Sequence, residues 1–207
     1  MPMIDDVYRT IASRSQSVFR DKGSRFIGHV IPVSSPDEIR SELENLRREY
    51  HDARHHCYAW RLGAGGESWR INDDGEPSGS AGKPIYGQLL SHEISDVLAV
   101  VVRYFGGTKL GIPGLINAYK TTTREAIEAA SITEKVLYAE FEVGFGYSAM
   151  NQVMRIVREQ GIEIIRNDFN INCLMHARIR KADLASVAEL FRNIGKVQFT
   201  GIPDSRS

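Results

Sequence analysis

Two aspartates and a glutamate fall within four residues, at Asp73, Asp74 and Glu76, and the adjacent histidines His55 and His56 precede them. Carboxylate oxygens and imidazole nitrogens bind divalent metals and also act as general acids and bases. Adjacent side chains of a strand point to opposite faces, so only one histidine would share a surface with the carboxylates, and the spacing matches no recognised zinc motif. A metal site therefore remains an alternative, and the sequence predicts no metal ion, no cofactor and no catalytic residue.

The acidic residues begin a glycine-rich segment that ends in Lys83. This segment is not a P-loop, because Pro77 and Pro84 occupy positions where a P-loop requires glycine and serine or threonine. We predict a backbone nest that binds phosphate through the N–H groups from Gly79 to Gly82, with Lys83 nearby. The alternative is an ordered loop whose glycines serve turn geometry alone.

An apolar run at residues 97–102 ends in Arg103, and Gly106 and Gly107 follow. The run is typical of a strand buried on both faces. A guanidinium at the end of such a strand needs a partner or a ligand, because an unpaired buried charge is costly. A phosphate suits its planar donors, and the alternative is a structural ion pair with a carboxylate of the acidic segment. The glycine turn, a following helix N-terminus and Lys109 would complete an anion site.

Composition limits the classes of partner. Twenty-six basic and 26 acidic side chains give a net charge of zero, so nucleic-acid binding would depend on a local patch. Tyr104 and Phe105 could stack on bases there, or pack in the core. The isolated Cys57 and Cys173 indicate a reduced, cytoplasmic setting. No apolar stretch predicts a membrane span, and we expect no membrane association.

The pattern of strands and helices changes near residue 135, which predicts an α+β protein with domains at residues 1–135 and 136–207. In the first domain, a capping box at Ser35 and Glu38 begins a helix. The second domain has the order βαββαβ, which is the ferredoxin-like arrangement. The predicted strands lie in residues 8–33 (two, with a turn), 55–61, 69–72, 97–102, 141–145, 162–168, 171–180 and 196–201, and the predicted helices at 36–50, 84–91, 110–130, 150–161 and 184–195.

Three motifs resemble those of the Impact/YigZ family of small cytoplasmic proteins. They are D-A-R-H-H-C at 52–57, D-D-G-E-P-S-G-S-A-G-K-P at 73–84 and R-Y-F-G-G-T-K-L-G at 103–111. The resemblance covers the chain and implies a βαβ-type N-terminal domain like domain IV of elongation factor G. It also implies a C-terminal domain like the ferredoxin-like domain of the same factor. One departure is Pro113, which removes a backbone N–H from any anion site at the helix start.

The resemblance implies a role in translation. We therefore expect a regulator without enzymatic activity that binds RNA, the ribosome or a translation factor. The alternative is an enzyme acting on a phosphorylated small molecule or peptide through the histidines and carboxylates, with or without a metal. A third possibility is a regulator that binds protein alone.

Overall fold

The computed structural model describes residues 6–169 and 172–202, which divide into two compact units. One unit is Tyr8–Lys135, and the other joins residues 6–7 to the segment that begins at Val136. Both units combine helices with antiparallel sheets, which confirms the α+β class. No helix in these described ranges is long and apolar enough to cross a membrane.

The first unit contains a five-stranded sheet with the order β2-β3-β6-β4-β5, while β1 and β7 pair separately. Because β6 lies between β3 and β4 and is antiparallel to both, β3–α1–β4 is a split βαβ unit. The elements are β1 (Val7–Ile11), β2 (Ser15–Asp21), β3 (Ser24–Pro32), α1 (Pro36–Glu49), β4 (His55–Leu62), β5 (Ser68–Asn72), α2 (Gly82–Ser91), β6 (Val97–Tyr104), α3 (Gly111–Glu128) and β7 (Ile132–Val136).

Helices cover both faces of this sheet. Helix α1 packs Ile39, Leu43 and Leu46 against one face, and helices α2 and α3 pack against the other. Residues 97–102 of the central strand β6 are at most 1% exposed, which confirms the strand predicted to be buried on both faces. Strand β6 is antiparallel to both of its neighbours, β3 and β4. It is buried because helices cover both faces of the sheet.

The start of α1 follows the predicted capping box with one difference. The Ser35 hydroxyl accepts the Glu38 backbone N–H at 3.2 Å. The Glu38 carboxylate accepts the N–H of Ser34 at 2.6 Å, one residue before the expected donor. Both contacts satisfy N–H groups at the beginning of the helix, where no backbone acceptor is available.

Helix α3 lies unusually close to the sheet. A Cβ on Gly28 of β3 would come within 2.8 Å of Thr122 Cγ2. The hydroxyls of Thr122 and Thr123 donate to carbonyls one turn earlier, and the Ser17 hydroxyl donates to the Thr122 carbonyl at 2.7 Å. These contacts explain how a run of threonines, weak helix formers, is accommodated inside α3.

The second unit has a four-stranded antiparallel sheet with the order β11-β8-β10-β9. This is the strand order of the ferredoxin-like arrangement predicted from the sequence, with both helices contributing to the core that includes Val153, Phe191 and Met175. The predicted start of the third strand, Ile171, falls outside the described residues. The elements are β8 (Tyr138–Gly146), α4 (Met150–Glu159), β9 (Glu163–Phe169), β10 (Asn172–Arg180), α5 (Leu184–Arg192) and β11 (Val197–Gly201).

Candidate functional site

The three sequence motifs meet at one end of the five-stranded sheet. Because neighbouring strands are antiparallel, the start of β4 lies beside the end of β6, and His55 is directly opposite Arg103. Strand β5 ends at the same side and leads into the acidic loop. We call this region the polar end, defined as residues 22–25, 52–56, 72–83 and 103–109.

The glycine-rich loop is folded around the carboxylate of Asp73. The backbone N–H groups of Gly79, Ala81 and Gly82 donate to it at 2.8, 3.0 and 2.8 Å, and the Ser80 N–H donates to a carbonyl within the loop. Burial opposes ionisation of Asp73, but the three N–H groups outweigh it and lower the pKa of the carboxyl below its ordinary value. The amides predicted to form a phosphate nest are therefore engaged by a carboxylate of the chain itself.

Arg103 forms a buried ion pair with Glu76. Its Nη1 lies 2.6 Å from Glu76 Oε1, and the two side chains are only 7% and 4% exposed. The Tyr119 hydroxyl donates to the same oxygen at 2.8 Å. The structural ion pair, one of the two alternatives raised by the sequence, thus attaches the acidic loop to the end of β6. Nε of Arg103 is buried without a hydrogen-bond partner.

The network continues from Tyr119 to Cys57, whose thiol lies 3.3 Å from the tyrosine hydroxyl and 2.9 Å from the Asp73 carbonyl. Burial raises the pKa of the Cys57 thiol, and the hydrogen bond between this thiol and the Tyr119 hydroxyl opposes the increase only in part. Burial also raises the pKa of the Tyr119 hydroxyl. The thiol is therefore protonated at neutral pH, where a thiolate would be needed for a nucleophile.

The two histidines take different roles. His56 is buried, its backbone N–H donates to Asp74 Oδ2 at 2.7 Å, and burial lowers the pKa of its imidazole despite the nearby Asp74 carboxylate. His55 lies on the opposite face of β4, partly exposed, with Nδ1 2.9 Å from the Asp74 carbonyl. No group of three or more His, Cys, Asp or Glu side chains in the described ranges is arranged to hold a metal ion.

The loop after β6 depends on close backbone packing. The Gly106 N–H donates to the Ser24 hydroxyl at 3.1 Å, so this loop rests on the turn between β2 and β3. Gly107 adopts a φ of +87°, a conformation that favours glycine. Sequence reasoning identified both glycines but missed the β2–β3 turn as their support, although the polar residues around Gly23 marked it as a turn.

A pocket of about 380 Å³ opens at the polar end. Arg54 and Phe105 are exposed at it, and the Phe105 side chain has 55% of its surface accessible. Asp52 accepts a hydrogen bond from Tyr104 at 2.6 Å, which holds the pKa of that carboxyl below its ordinary value. The residues that line the pocket are Asp52, Arg54, His55, Arg103, Tyr104 and Phe105.

Of these lining residues, sequence reasoning missed Arg54 and Asp52 as site candidates. Both lie in a short loop before β4 and carry no motif of their own beyond the family pattern. The predicted cations Lys83 and Lys109 are exposed. The Lys83 side chain passes close to Gly79: a Cβ built on this glycine would lie 3.3 Å from the lysine Cδ.

The sequence profile of the Impact N-terminal domain matches residues 22–127, just over half of the chain. This chain belongs to the Impact family. The Escherichia coli protein named IMPACT family member YigZ is 33% identical over 166 residues, which cover 79% of this chain and 81% of that protein. The Bacillus subtilis IMPACT family member YvyE is 33% identical over 152 residues, or 73% and 70% of the two chains.

A crystal structure described as that of a hypothetical protein superimposes with a TM-score of 0.72 at 30% identity and covers 98% of this chain and all of the other. The Saccharomyces cerevisiae Protein IMPACT homolog is 30% identical over 115 residues, 53% of this chain and 43% of the yeast protein. The family resemblance stated from the motifs is thus confirmed. Every residue of the polar end lies inside the matched range 22–127 of this Impact family protein.

Proposed function

We propose that this protein is a regulator of translation without enzymatic activity, which binds RNA of the ribosome through the polar end. The observation that carries the proposal is the exposure of Phe105. This ring is 55% exposed, and it adjoins both the guanidinium of Arg103 and the exposed Arg54 at one pocket. Proteins that bind single-stranded nucleic acid combine cations that contact the backbone with aromatic side chains on which bases stack.

The phosphate contacts in this proposal come from side chains. The amides from Gly79 to Gly82 are engaged internally, so Arg54, Lys83 and Lys109 would contact the phosphates directly. Arg103 would orient the surface, because its pair with Glu76 fixes both the acidic loop and the support of Phe105. Family membership supports a translation role, and a net charge of zero is compatible with a contact made by a few local cations.

The proposal is tested by sedimentation of the tagged protein through sucrose gradients of cell lysate at low and high salt. Arg54→Ala is a better variant than Arg103→Ala, since loss of Arg103 would leave Glu76 buried and unpaired and would disturb the fold. Arg70→Ala is the matched control, because this exposed arginine of β5 lies opposite Trp60, about 16 Å along β4 from His55 at the pocket.

We expect the wild type and Arg70→Ala to move with ribosomal subunits at low salt and to be released at high salt, and Arg54→Ala to remain near the top. Wild-type protein that stays at the top at every salt concentration would overturn the proposal. Co-sedimentation that is insensitive to salt and to Arg54→Ala would also overturn it and would indicate a protein contact.

A further inference from the structure

The pocket at the polar end has the size and lining of a binding site for a small planar group. Its volume of about 380 Å³ lies within the range of ligand pockets, roughly 300 to 1,000 Å³. The lining includes two aromatic residues, Tyr104 and Phe105, and two cations, Arg54 and Arg103. A flat ring joined to an anionic group matches both kinds of side chain.

The Phe105 ring lies next to a guanidinium that the fold holds in place. The Arg103 guanidinium carbon lies 5.7 Å from the centre of the Phe105 ring and 5.4 Å from that of the buried Phe26. Glu76 holds the same guanidinium at 2.6 Å. The ring is therefore backed by a group that is itself fixed on two sides, while its remaining surface is accessible to solvent.

The two arginines that line the pocket differ in exposure and in pairing. Arg54 is exposed at the pocket and free to meet a phosphate, whereas Arg103 is buried and partly neutralised by Glu76. Nε of Arg103 is buried as well, without a hydrogen-bond partner, so the cation that a ligand in the pocket can reach is Arg54. Asp52 also lines the pocket, with its carboxylate held by the Tyr104 hydroxyl.

From this arrangement we infer that the pocket takes one unpaired nucleotide of RNA, with its base stacked on Phe105 and its phosphate bound by Arg54. The inference deepens the proposed function and rests on it. A base within an A-form duplex is stacked on both sides and cannot enter a pocket, whereas bases of loops, bulges and single strands can be splayed out onto aromatic side chains. The protein would thus select single-stranded segments and reject continuous helix.

The test measures binding of a labelled single-stranded RNA of about ten nucleotides, a length within the range of known single-strand sites, by fluorescence anisotropy. The same strand annealed to its complement is the duplex probe. Phe105→Leu keeps an apolar side chain without the ring, and Phe105→Trp restores a stacking surface. Trp69→Leu is the matched control, because Trp69 is similarly exposed, at 53%, and pairs with Arg61, about 20 Å along β4 from His55.

We expect the single strand to bind more tightly than the duplex and Phe105→Leu to weaken single-strand binding at least about fivefold. Phe105→Trp should restore it, and Trp69→Leu should match the wild type. Arg54→Ala should also reduce the slope of log affinity against log salt by about 0.7, the change for one lost phosphate contact on a single strand, and Arg70→Ala should not.

Equal affinity for the two probes, or equal effects of Phe105→Leu and Trp69→Leu, would overturn the inference. Competition by adenosine monophosphate as effective, per nucleotide, as the unlabelled strand would also overturn it and would indicate a site for free nucleotides. If these results occur while Arg54-dependent sedimentation with ribosomal subunits persists, the inference fails and the proposed function stands. Loss of both RNA binding and sedimentation would reject the two together.

Discussion

Gly106 lies so close to Gly23 that a Cβ at position 106 would come within 1.9 Å of the Gly23 carbonyl carbon. Two backbones, one from the β2–β3 turn and one from the loop after β6, are in direct contact there. The contact positions the loop that carries Phe105, because the Gly106 N–H is also bound to Ser24 on the same turn.

Gly106→Ala should therefore destabilise the protein by at least about 2 kcal/mol, since two backbone segments must move apart. Urea denaturation measures the change. Gly87→Ala is the matched control: Gly87 lies within α2, and a Cβ there would meet nothing within 4 Å. That variant should stabilise the protein by about 0.5–1 kcal/mol, because alanine is the better helix former. Equal effects of the two variants would contradict the packing argument.

The Arg103–Glu76 pair should show strong coupling. Glu76→Gln and Arg103→Met should each cost about 3 to 5 kcal/mol of unfolding free energy, because each leaves the other group buried without a charged partner. The double variant should cost less than the sum of the two by more than about 1 kcal/mol. Glu128→Gln, which breaks an exposed pair with Arg124, should change stability by less than about 0.5 kcal/mol. Additive effects at positions 76 and 103 would show that the pair is not formed in solution.

Asp73 should make the protein sensitive to acid. The folded-state pKa of Asp73 is below its ordinary value, so its contribution to stability is present above about pH 4 and is lost as the pH falls through the folded-state value. Asp73→Asn should cost about 1 kcal/mol at pH 7, because hydrogen bonds to a charged acceptor are stronger than those to a neutral amide oxygen, and the difference from the wild type should shrink toward pH 2. The measurement is the unfolding free energy of both proteins at several pH values. A difference between them that stays constant with pH would contradict the prediction.

His56 should make the stability of the protein depend on pH in a higher range than Asp73 does. Burial lowers the pKa of its imidazole below 6.5, so the unfolded chain binds a proton before the folded one does. Wild-type unfolding free energy should thus fall as the pH drops below about 6.5. His56→Gln should reduce this fall without abolishing it, because burial also lowers the pKa of the His29 imidazole. His51→Gln, at an exposed position, should leave the profile as in the wild type. A profile unchanged by His56→Gln would exclude this assignment.

The fold was largely predictable because its signals are local. The apolar run of β6, the cap at Ser35 and the βαββαβ order of the second unit each depend on spacing along the chain, and the structure confirms them. Residues 8–33 were predicted to hold two strands, so β1 was not separated from its neighbours, and no strand was predicted at β7. Strand β7 is exposed throughout, so no apolar pattern marked it.

The site was less predictable because it depends on which groups meet in space. The sequence indicated that Arg103 needs a partner. That the partner is Glu76, and that both side chains are buried, is seen only in the folded chain. Likewise, the loop amides and Asp73 are six to nine residues apart, and nothing in their spacing shows that a carboxylate of the chain would bind them. Arg54 lies in the motif at 52–57, but the sequence does not show that its side chain lines a pocket with Phe105.

The hydrogen bonds from three loop amides to Asp73 hold the loop in one conformation before any ligand binds. Residues 79–82 lose their conformational entropy when the chain folds, so a ligand at the polar end does not have to order them. Association should then be limited by diffusional encounter and electrostatic steering, without a slow closing step, and differences in affinity between ligands should lie in how quickly they leave.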